Sequence, residues 1–220
     1  MRIVLNLYLA GELGKAVGMV YTANDTKEWE GLRMKHDRIL IAVDLQRDFI
    51  DGALGTAEAV AIVPAAAEKI RRYTAAGDPV IATLDTHAED YLTTREGRFL
   101  PVVHCVKGTD GWRLHPAIEA ALGESVRLEK PSFGSSALPA LVRELTGAEG
   151  DGAGLAVELI GLCTDICVVS NAMILKAALP EADFTVDASC CAGVTPAKHR
   201  AALETMASCQ IVIQNGEEER

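Results

Sequence analysis

Short apolar runs alternate with amphipathic stretches in this chain, and this alternation limits its possible folds more than any other feature. From Arg38 onward, runs typical of buried strands are separated by segments with helical periodicity. That pattern indicates βαβ units and a parallel sheet. We therefore predict an α/β fold: a Rossmann-like open, mainly parallel sheet of about six strands, flanked by helices on both faces. A chain of 220 residues is long enough for one such domain with a sizeable core.

Helix boundaries follow from periodicity and from stop signals such as Gly77 and Pro180. The helices predicted in this way cover residues 62–76, 136–145, 165–179 and 196–208. Thr164 or Asp165 would cap the third of them, which places Cys167 in its first turn. Residues 184–186 and 210–213 are predicted to complete the sheet.

Reactive side chains stand at or just beyond the ends of four apolar runs. They are Asp44, Asp85, Lys130 and Cys167. Ligands of an open parallel sheet bind outside the carboxyl ends of its strands, and neighbouring strands lie only about 4.8 Å apart. We therefore expect these residues to converge in one distributed active site.

Cys167 has the setting of a nucleophile. The thiolate is the reactive form of cysteine, and the first turn of a helix lowers the pKa of a thiol through the helix dipole and its free N–H groups. Asp44 could accept the thiol proton, and Lys130 could hold both anions and lower the pKa of the carboxylate. Taken singly, each residue has an ordinary structural role. Their joint placement at strand ends favours catalysis.

A second group of candidate residues lies beside the first. Asp85 and His87 are two residues apart, so in an extended stretch their side chains face the same side; Glu96 and His104 follow. These are ligands for zinc, or for manganese or iron(II) with water in the remaining positions. A hydrogen-bonded structural Asp-x-His pair is the alternative.

Charge and cysteine content exclude several classes of partner. With 31 acidic and 21 basic residues the formal charge is -10, which disfavours nucleic acid and anionic membranes and favours a small neutral or cationic ligand. The six cysteines lack the spacing of a disulfide scaffold, so we expect a reduced, cytoplasmic protein. No continuous apolar run has the length of a membrane span.

Residues 1–35 do not share the α/β periodicity. We interpret them as an N-terminal extension, either produced by an overcalled start codon, with Met34 as the natural start, or packed on the surface. The domain itself is expected to cover residues 36–214, followed by an acidic tail at 215–220.

Five short motifs follow one another between residues 38 and 213. They are Ala42-Val-Asp44-Leu-Gln-Arg-Asp48-Phe49, Asp85-x-His87, His104 before Gly108-Thr-Asp-Gly111, Glu129-Lys130-Pro131, and Gly161-Leu-Cys-Thr-Asp-Ile-Cys167-Val168. In this order they resemble the nicotinamidase branch of the isochorismatase-like cysteine hydrolases. The resemblance implies a catalytic triad of Asp44, Lys130 and Cys167. It also implies a divalent metal, Zn²⁺ before Mn²⁺ or Fe²⁺, on Asp85, His87 and His104, with Glu96 as a further ligand.

The resemblance further implies a reaction. Nicotinamide, and its analogue pyrazinamide, would be hydrolysed through a cysteine thioester to the acid and ammonia, feeding NAD salvage. A cis peptide is implied at Leu162–Cys163, and the backbone N–H groups of Cys163 and Cys167 would form the oxyanion hole. Phe49 and Phe133 are candidate walls for the pyridine ring. Self-association into a homo-oligomer is a family expectation.

Two alternatives stay open from the sequence. Other members of the superfamily act on carbamoyl, ureido or isochorismate substrates with the same Asp, Lys and Cys, although they usually lack the metal ligands. A metal-binding protein that keeps the fold without turnover is the second alternative. The presence of Asp85, His87 and His104 favours the nicotinamidase interpretation.

Overall fold

The computed structural model describes residues 36–216. The predicted extension at 1–35 and residues 217–220 of the acidic tail lie outside the described residues. The hypothesis of a start at Met34 therefore stays a prediction.

A parallel sheet forms the centre of the described chain. Its six strands are β1 (Arg38–Val43), β2 (Val80–Asp85), β3 (Val126–Lys130), β4 (Ala156–Leu162), β5 (Asp183–Ala192) and β6 (Val212–Gln214). Every neighbouring pair is parallel, in the order β3-β2-β1-β4-β5-β6. This is the Rossmann strand order, in which the direction of winding reverses between β1 and β4 and a crevice opens at their carboxyl ends. The predicted fold class is confirmed, with a sheet that is wholly parallel.

Seven α-helices are described between residues 36 and 216. They are α1 (Arg47–Ile50), α2 (Ala57–Ala76), α3 (Arg95–Phe99), α4 (Pro116–Leu122), α5 (Leu138–Thr146), α6 (Val169–Ala178) and α7 (Pro196–Ser208). Helices α2 and α4 pack together, as do α5 and α6. A 3₁₀ turn covers Tyr91–Thr93, and a π-helical turn at Thr164–Val168 leads into α6.

The core explains the continuous apolar runs of the sequence. In β1 every residue after Arg38 is buried, and β2 is buried throughout. Helices cover both sides of the central strands, so these strands lack the alternation of a half-exposed sheet. No helix within residues 36–216 is long and apolar enough to cross a membrane. All six cysteines, which fall within these residues, are free.

Two predicted boundaries were wrong in ways that have a local cause. Helix α2 begins at Ala57 instead of residue 62, because the Thr56 hydroxyl accepts a hydrogen bond from the Ala59 N–H and caps the helix there. The helix then continues through Pro64. Strand β5 extends to Ala192, well beyond the predicted residue 186.

The predicted cap of the third helix was also wrong. Cys163, and neither Thr164 nor Asp165, occupies the N-cap position of the π-helical turn. Thr164 instead hydrogen-bonds the His199 ring, and Asp165 accepts a hydrogen bond from the Val194 N–H. These two side chains fasten the turn to the start of α7, and Cys167 keeps its predicted place at the entry to the helical segment.

Candidate active site

Lys130 lies at the centre of the residues that the sequence predicted to converge. Its Nζ is 2.6 Å from Asp44 Oδ2, 3.6 Å from Cys167 Sγ and 3.5 Å from Asp85 Oδ1. The side chain is fully buried, and its ammonium also donates to the Ser132 carbonyl at 3.1 Å. The expected convergence at the carboxyl ends of four strands is therefore what the structure contains.

Asp44 is held at the end of β1 in the left-handed backbone region, with φ of 48°. Its Oδ1 accepts a hydrogen bond of 2.6 Å from the Thr83 hydroxyl, and its N–H donates to the Thr83 carbonyl. Its Oδ2 is buried and, apart from the ion pair with Lys130, has no hydrogen-bond donor among the described residues. Burial raises the pKa of Asp44 in spite of the opposing charge of Lys130. The carboxylate is therefore held in a fixed orientation, and its pKa lies above the ordinary value.

Cys167 departs from the electrostatic expectation. Burial raises the pKa of its thiol, the carboxylate of Asp44 adds to the rise, and Lys130 opposes it. Its place at the entry to a helical segment does not offset these effects. Two carboxylates, Asp44 and Asp85, add to the rise in pKa, and Asp44 is the one that hydrogen-bonds the thiol.

Lys130 has the opposite balance of effects. Burial lowers the pKa of its ammonium, but the negative groups Asp44, Cys167 and Asp85 outweigh burial, and the pKa lies above its usual range. The raised pKa favours the charged ammonium in this setting.

Gly161 permits β4 to approach β1 at this point. Its φ is 121°, and a Cβ on this residue would overlap the carbonyl oxygen of Val43, the residue before Asp44. A side chain at residue 161 would push β4 away from β1. It would therefore separate the Cys167 segment, which follows β4, from Asp44, which follows β1. The peptide bond between Leu162 and Cys163, just after Gly161, is cis, as the resemblance implies.

The four candidate metal ligands form one cluster. Their ligand atoms all lie within 4.8 Å of one another. His87 Nε2 is 3.0 Å from Asp85 Oδ2 and 3.7 Å from Glu96 Oε1. His104 Nε2 is 3.6 Å from Asp85 Oδ2 and 3.8 Å from Glu96 Oε1.

These separations fit a divalent metal. Ligands about 2.0–2.1 Å from Zn²⁺ at tetrahedral angles lie roughly 3.4 Å apart, and the four histidine–carboxylate distances of 3.0 to 3.8 Å lie around that value. The Nδ1 of His104 donates to the Val102 carbonyl at 2.8 Å, which turns its Nε2 toward the cluster. The set of two imidazoles and two carboxylates suits zinc, manganese or iron. Glu96, which the resemblance placed only as a further ligand, lies with the others.

One pocket is lined by Cys167 and by the whole metal-ligand cluster. It has a volume of about 790 Å³, and its lining includes Cys163, Cys167, Asp85, His87, Glu96 and His104. Asp44 and Lys130 are buried behind this lining. Both predicted wall residues line it: Phe49, which is 8% exposed, and Phe133, which is 46% exposed. Another cavity, of about 860 Å³ between α2 and α7, contains neither cluster.

Sequence reasoning missed Asn171, which organises one side of the pocket. This buried side chain donates to the Cys167 carbonyl at 2.9 Å and to the Phe133 carbonyl at 3.2 Å, and it accepts from the Ser135 N–H. It therefore joins the nucleophile's turn to the loop that carries an aromatic wall. Its position one helical turn after Cys167 was the available signal.

Comparison with known proteins agrees with this geometry. A family model described as the isochorismatase domain matches residues 38–218, so the chain belongs to the isochorismatase family. The chain is thus a hydrolase of that family, and the predicted superfamily is confirmed. No curated protein sequence matches the chain significantly.

Solved structures resemble the fold over most of the chain. The nicotinamidase/pyrazinamidase of Bacillus subtilis has a TM-score of 0.69 and 24% identity, covering 83% of this chain and 100% of that one; at this identity the likeness concerns the fold. The pyrazinamidase of Pyrococcus horikoshii, solved in complex with zinc, has a TM-score of 0.65 and 28% identity over 81% and 98%. The N-carbamoylsarcosine amidase of Thermoplasma acidophilum has a TM-score of 0.64 and 25% identity over 85% and 99%.

Proposed function

We propose that this protein is a cysteine amidohydrolase that converts nicotinamide to nicotinic acid and ammonia, and that it also acts on pyrazinamide. The carrying observation is the position of Lys130, whose ammonium contacts Asp44, Cys167 and Asp85 together. A nucleophile, a base and a metal-ligand residue thereby share one buried cation next to the pocket. The likeness to a zinc-complexed pyrazinamidase supports the same substrate class.

The reaction begins with a proton transfer. Asp44 takes the thiol proton of Cys167, and Lys130 remains beside both groups. Of these two groups, the carboxylate is the anion before the transfer and the thiolate is the anion after it. The thiolate then attacks the carboxamide carbon, and its electron pair forms the C–S bond. The raised pKa of Asp44 favours this transfer, because it makes the carboxylate a stronger base.

The oxyanion that forms would be met by the backbone N–H groups of Cys163 and Cys167, a device typically worth several kcal/mol of barrier. The C–N bond breaks as Asp44 returns its proton to the leaving nitrogen, which releases ammonia. Asp44 then accepts a proton from water as the water oxygen attacks the thioester carbon. Nicotinic acid leaves, and the proton on Asp44 restores the Cys167 thiol.

The second cluster would place the ring. Asp85, His87, Glu96 and His104 would hold a divalent ion, with zinc as the first candidate, and when bound this ion supplies a Lewis acid for a ring nitrogen or a water molecule. Phe49, which contacts the His104 ring edge-on at a centroid distance of 5.5 Å, would cover one face of a planar substrate. Phe133 would cover its outer side.

A second candidate substrate class is favoured by two cationic side chains. Arg95 and Lys198 both line this pocket and are exposed, although the protein as a whole has a formal charge of -10. Cations at a pocket entrance suit an amide or ureide that carries a carboxylate. The likeness to an N-carbamoylsarcosine amidase is consistent with such a substrate.

The test is ammonia release by full-length, metal-replete protein. Nicotinamide, pyrazinamide and an N-carbamoyl amino acid would be compared at equal concentration, with Cys167→Ala as the inactive control. The proposal predicts the highest kcat/KM on nicotinamide and none in the variant. Greater turnover of the N-carbamoyl amino acid would favour the second class, and no turnover of any amide would favour a non-catalytic metal-binding protein. The physiological setting that we propose is cytoplasmic NAD salvage by a homo-oligomer.

A further inference from the structure

The short segment that follows β1 contacts the backbone of the metal-ligand segments. The ladder between β1 and β2 ends at the Val43–Thr83 pair, and Asp44 after it has a positive φ. Gln46 lies between β1 and α1, and Asp48 lies in α1. The metal-ligand residue Asp85 lies two positions beyond Thr83, outside the reach of the β1 backbone.

Gln46 takes the place of that missing strand partner. Its amide oxygen accepts a hydrogen bond of 2.7 Å from the Asp85 N–H, and its Nε2 donates to the Asp85 carbonyl at 2.9 Å. The second Nε2 hydrogen is donated to the Trp112 carbonyl at 2.8 Å. The side chain is fully buried. Both backbone groups of Asp85 are therefore fixed by one amide group.

Asp48 makes the corresponding contact with the His104 segment. Its Oδ2 accepts a hydrogen bond of 2.7 Å from the N–H of Cys105, the residue after His104. Cys105 has a φ of 46°, a conformation that a non-glycine residue adopts at some cost, and its carbonyl accepts from the His87 N–H at 3.0 Å. A Cβ at Gly111 would overlap the Asp48 carboxylate, so that carboxylate is closely enclosed.

We propose that Gln46 and Asp48 are positioning residues for the metal ligands, Gln46 acting through Asp85 and Asp48 through His87 and His104. The inference rests on the metal site of the proposed function. Neither side chain belongs to the ligand cluster; each fixes the main chain from which a ligand projects. Because both follow Asp44 within four residues, one short segment from β1 into α1 sets the position of the proposed base and of the metal ligands relative to each other.

The test measures metal affinity of the full-length protein, independently of turnover. Gln46→Met and Asp48→Ala remove the hydrogen bonds, and the Kd for Zn²⁺ would be measured by competition with a chromophoric chelator. Loss of partners that orient metal ligands typically weakens affinity about 10- to 100-fold, and we expect a loss of that size in each variant. The visible absorption of the Co²⁺-loaded protein should shift as well, because the ligand geometry changes.

Two further variants separate positioning from general stability. Asp48→Asn keeps an oxygen for the Cys105 N–H and should recover most of the affinity. Thr146→Val is a control away from the site, at a side chain that is equally buried. It removes a hydroxyl group that donates to the Val142 carbonyl and accepts from the Ala148 N–H. It should lower Tm and leave the Kd unchanged. If Gln46→Met does not fold, Gln46→Glu keeps the acceptor for the Asp85 N–H and should show a weaker loss of affinity.

The outcomes distinguish this inference from the proposed function. Wild-type affinity in Gln46→Met or Gln46→Glu and in Asp48→Ala, together with a lowered Tm, would overturn the positioning role and leave the metal site intact. A wild-type protein that binds neither Zn²⁺ nor Co²⁺ would overturn the metal site and the inference with it.

Discussion

The ammonium of Lys130 lies 2.6 Å from Asp44 Oδ2, and both side chains are fully buried. The same cation faces Asp85 and Cys167. Burial and the nearby carboxylate of Asp44 raise the pKa of the Cys167 thiol, which favours the neutral thiol before substrate binds. We infer that the nucleophile forms only when its proton moves to Asp44, which conserves the charge of the group.

Replacement of the base should separate thiol reactivity from turnover. In Asp44→Asn, ammonia release should fall about 10²- to 10⁴-fold, as expected when a general base is lost. Alkylation of Cys167 by iodoacetamide should nevertheless reach its half-maximal rate at a lower pH than in the wild type. The reason is that the carboxylate, which raises the thiol pKa, is gone while Lys130, which lowers it, remains.

The matched control for that experiment is Asp51→Asn, a change at an exposed carboxylate that pairs with Arg47. It should alter neither rate. An alkylation profile in Asp44→Asn that is unchanged or moved to higher pH would contradict the electrostatic account of the thiol.

Removal of one imidazole should weaken metal binding. In His104→Ala the metal content after purification should fall well below the wild-type value, because one of four ligands is lost and the nitrogen donors are halved. His115→Ala is the control, since His115 lies at the start of α4 outside the cluster. Elemental analysis of both variants checks the assignment, and full metal content in His104→Ala would refute it.

The aromatic wall should act mainly on substrate binding. Phe133→Ala should raise KM for nicotinamide about 5- to 10-fold with a smaller change in kcat, since about 1 kcal/mol of apolar contact is lost from a half-exposed ring. Phe99→Ala is the control, because Phe99 is 78% exposed at the pocket rim and stacks on Arg95. Equal effects of the two substitutions would show that Phe133 has no special contact with the ring.

A buried ion pair outside the active site should make stability depend on pH. Asp187 is almost inaccessible and lies 2.6 Å from Lys69. Burial raises its pKa, but hydrogen bonds from Lys69, Ser189 and Asn215 outweigh burial and lower it to about 2. A folded-state pKa below the unfolded value of about 3.9 stabilises the protein above that value, and the stabilisation is lost as pH falls toward 2.

Asp187→Asn should therefore lower the free energy of unfolding at pH 7 by about 1–2 kcal/mol. The difference from the wild type should shrink between pH 4 and pH 2, as followed by urea denaturation. Asp110→Asn, at a carboxylate that is 68% exposed, should show little change at any pH. A constant difference between the wild type and Asp187→Asn across that range would contradict the assignment.

Much of the fold follows from the sequence because its central strands β1 and β2 are buried on both sides. The runs that end at Asp44 and Asp85 are continuous and apolar, so their strands and even their shared edge could be predicted. The beginning of α2 could not, since Thr56 acts as its cap only once the Ala59 N–H is in reach. Likewise Thr164 and Asp165 have side chains that commonly cap helices. In the structure they instead form hydrogen bonds with His199 and Val194, which are distant in the sequence.

The candidate site shows the same division. Residue types and strand ends were sufficient to bring Asp44, Lys130 and Cys167 together, and residue types and spacing also indicated Glu96 as a metal ligand. The effect of burial on the pKa of Cys167 could not be predicted, because burial depends on the packed structure while helix position is visible in the sequence. The contacts of Gln46 with Asp85 span 39 positions, a separation at which single-sequence periodicity carries no signal.

The most direct test of the central claim is mass spectrometry of the protein after acid quenching during turnover of nicotinamide. The account predicts a mass increase equal to one nicotinoyl group in place of a thiol hydrogen, located on the peptide that contains Cys167 and absent from Cys167→Ala. Ammonia release without any acylated Cys167, or an equal adduct in Cys167→Ala, would contradict catalysis through a thioester at this residue.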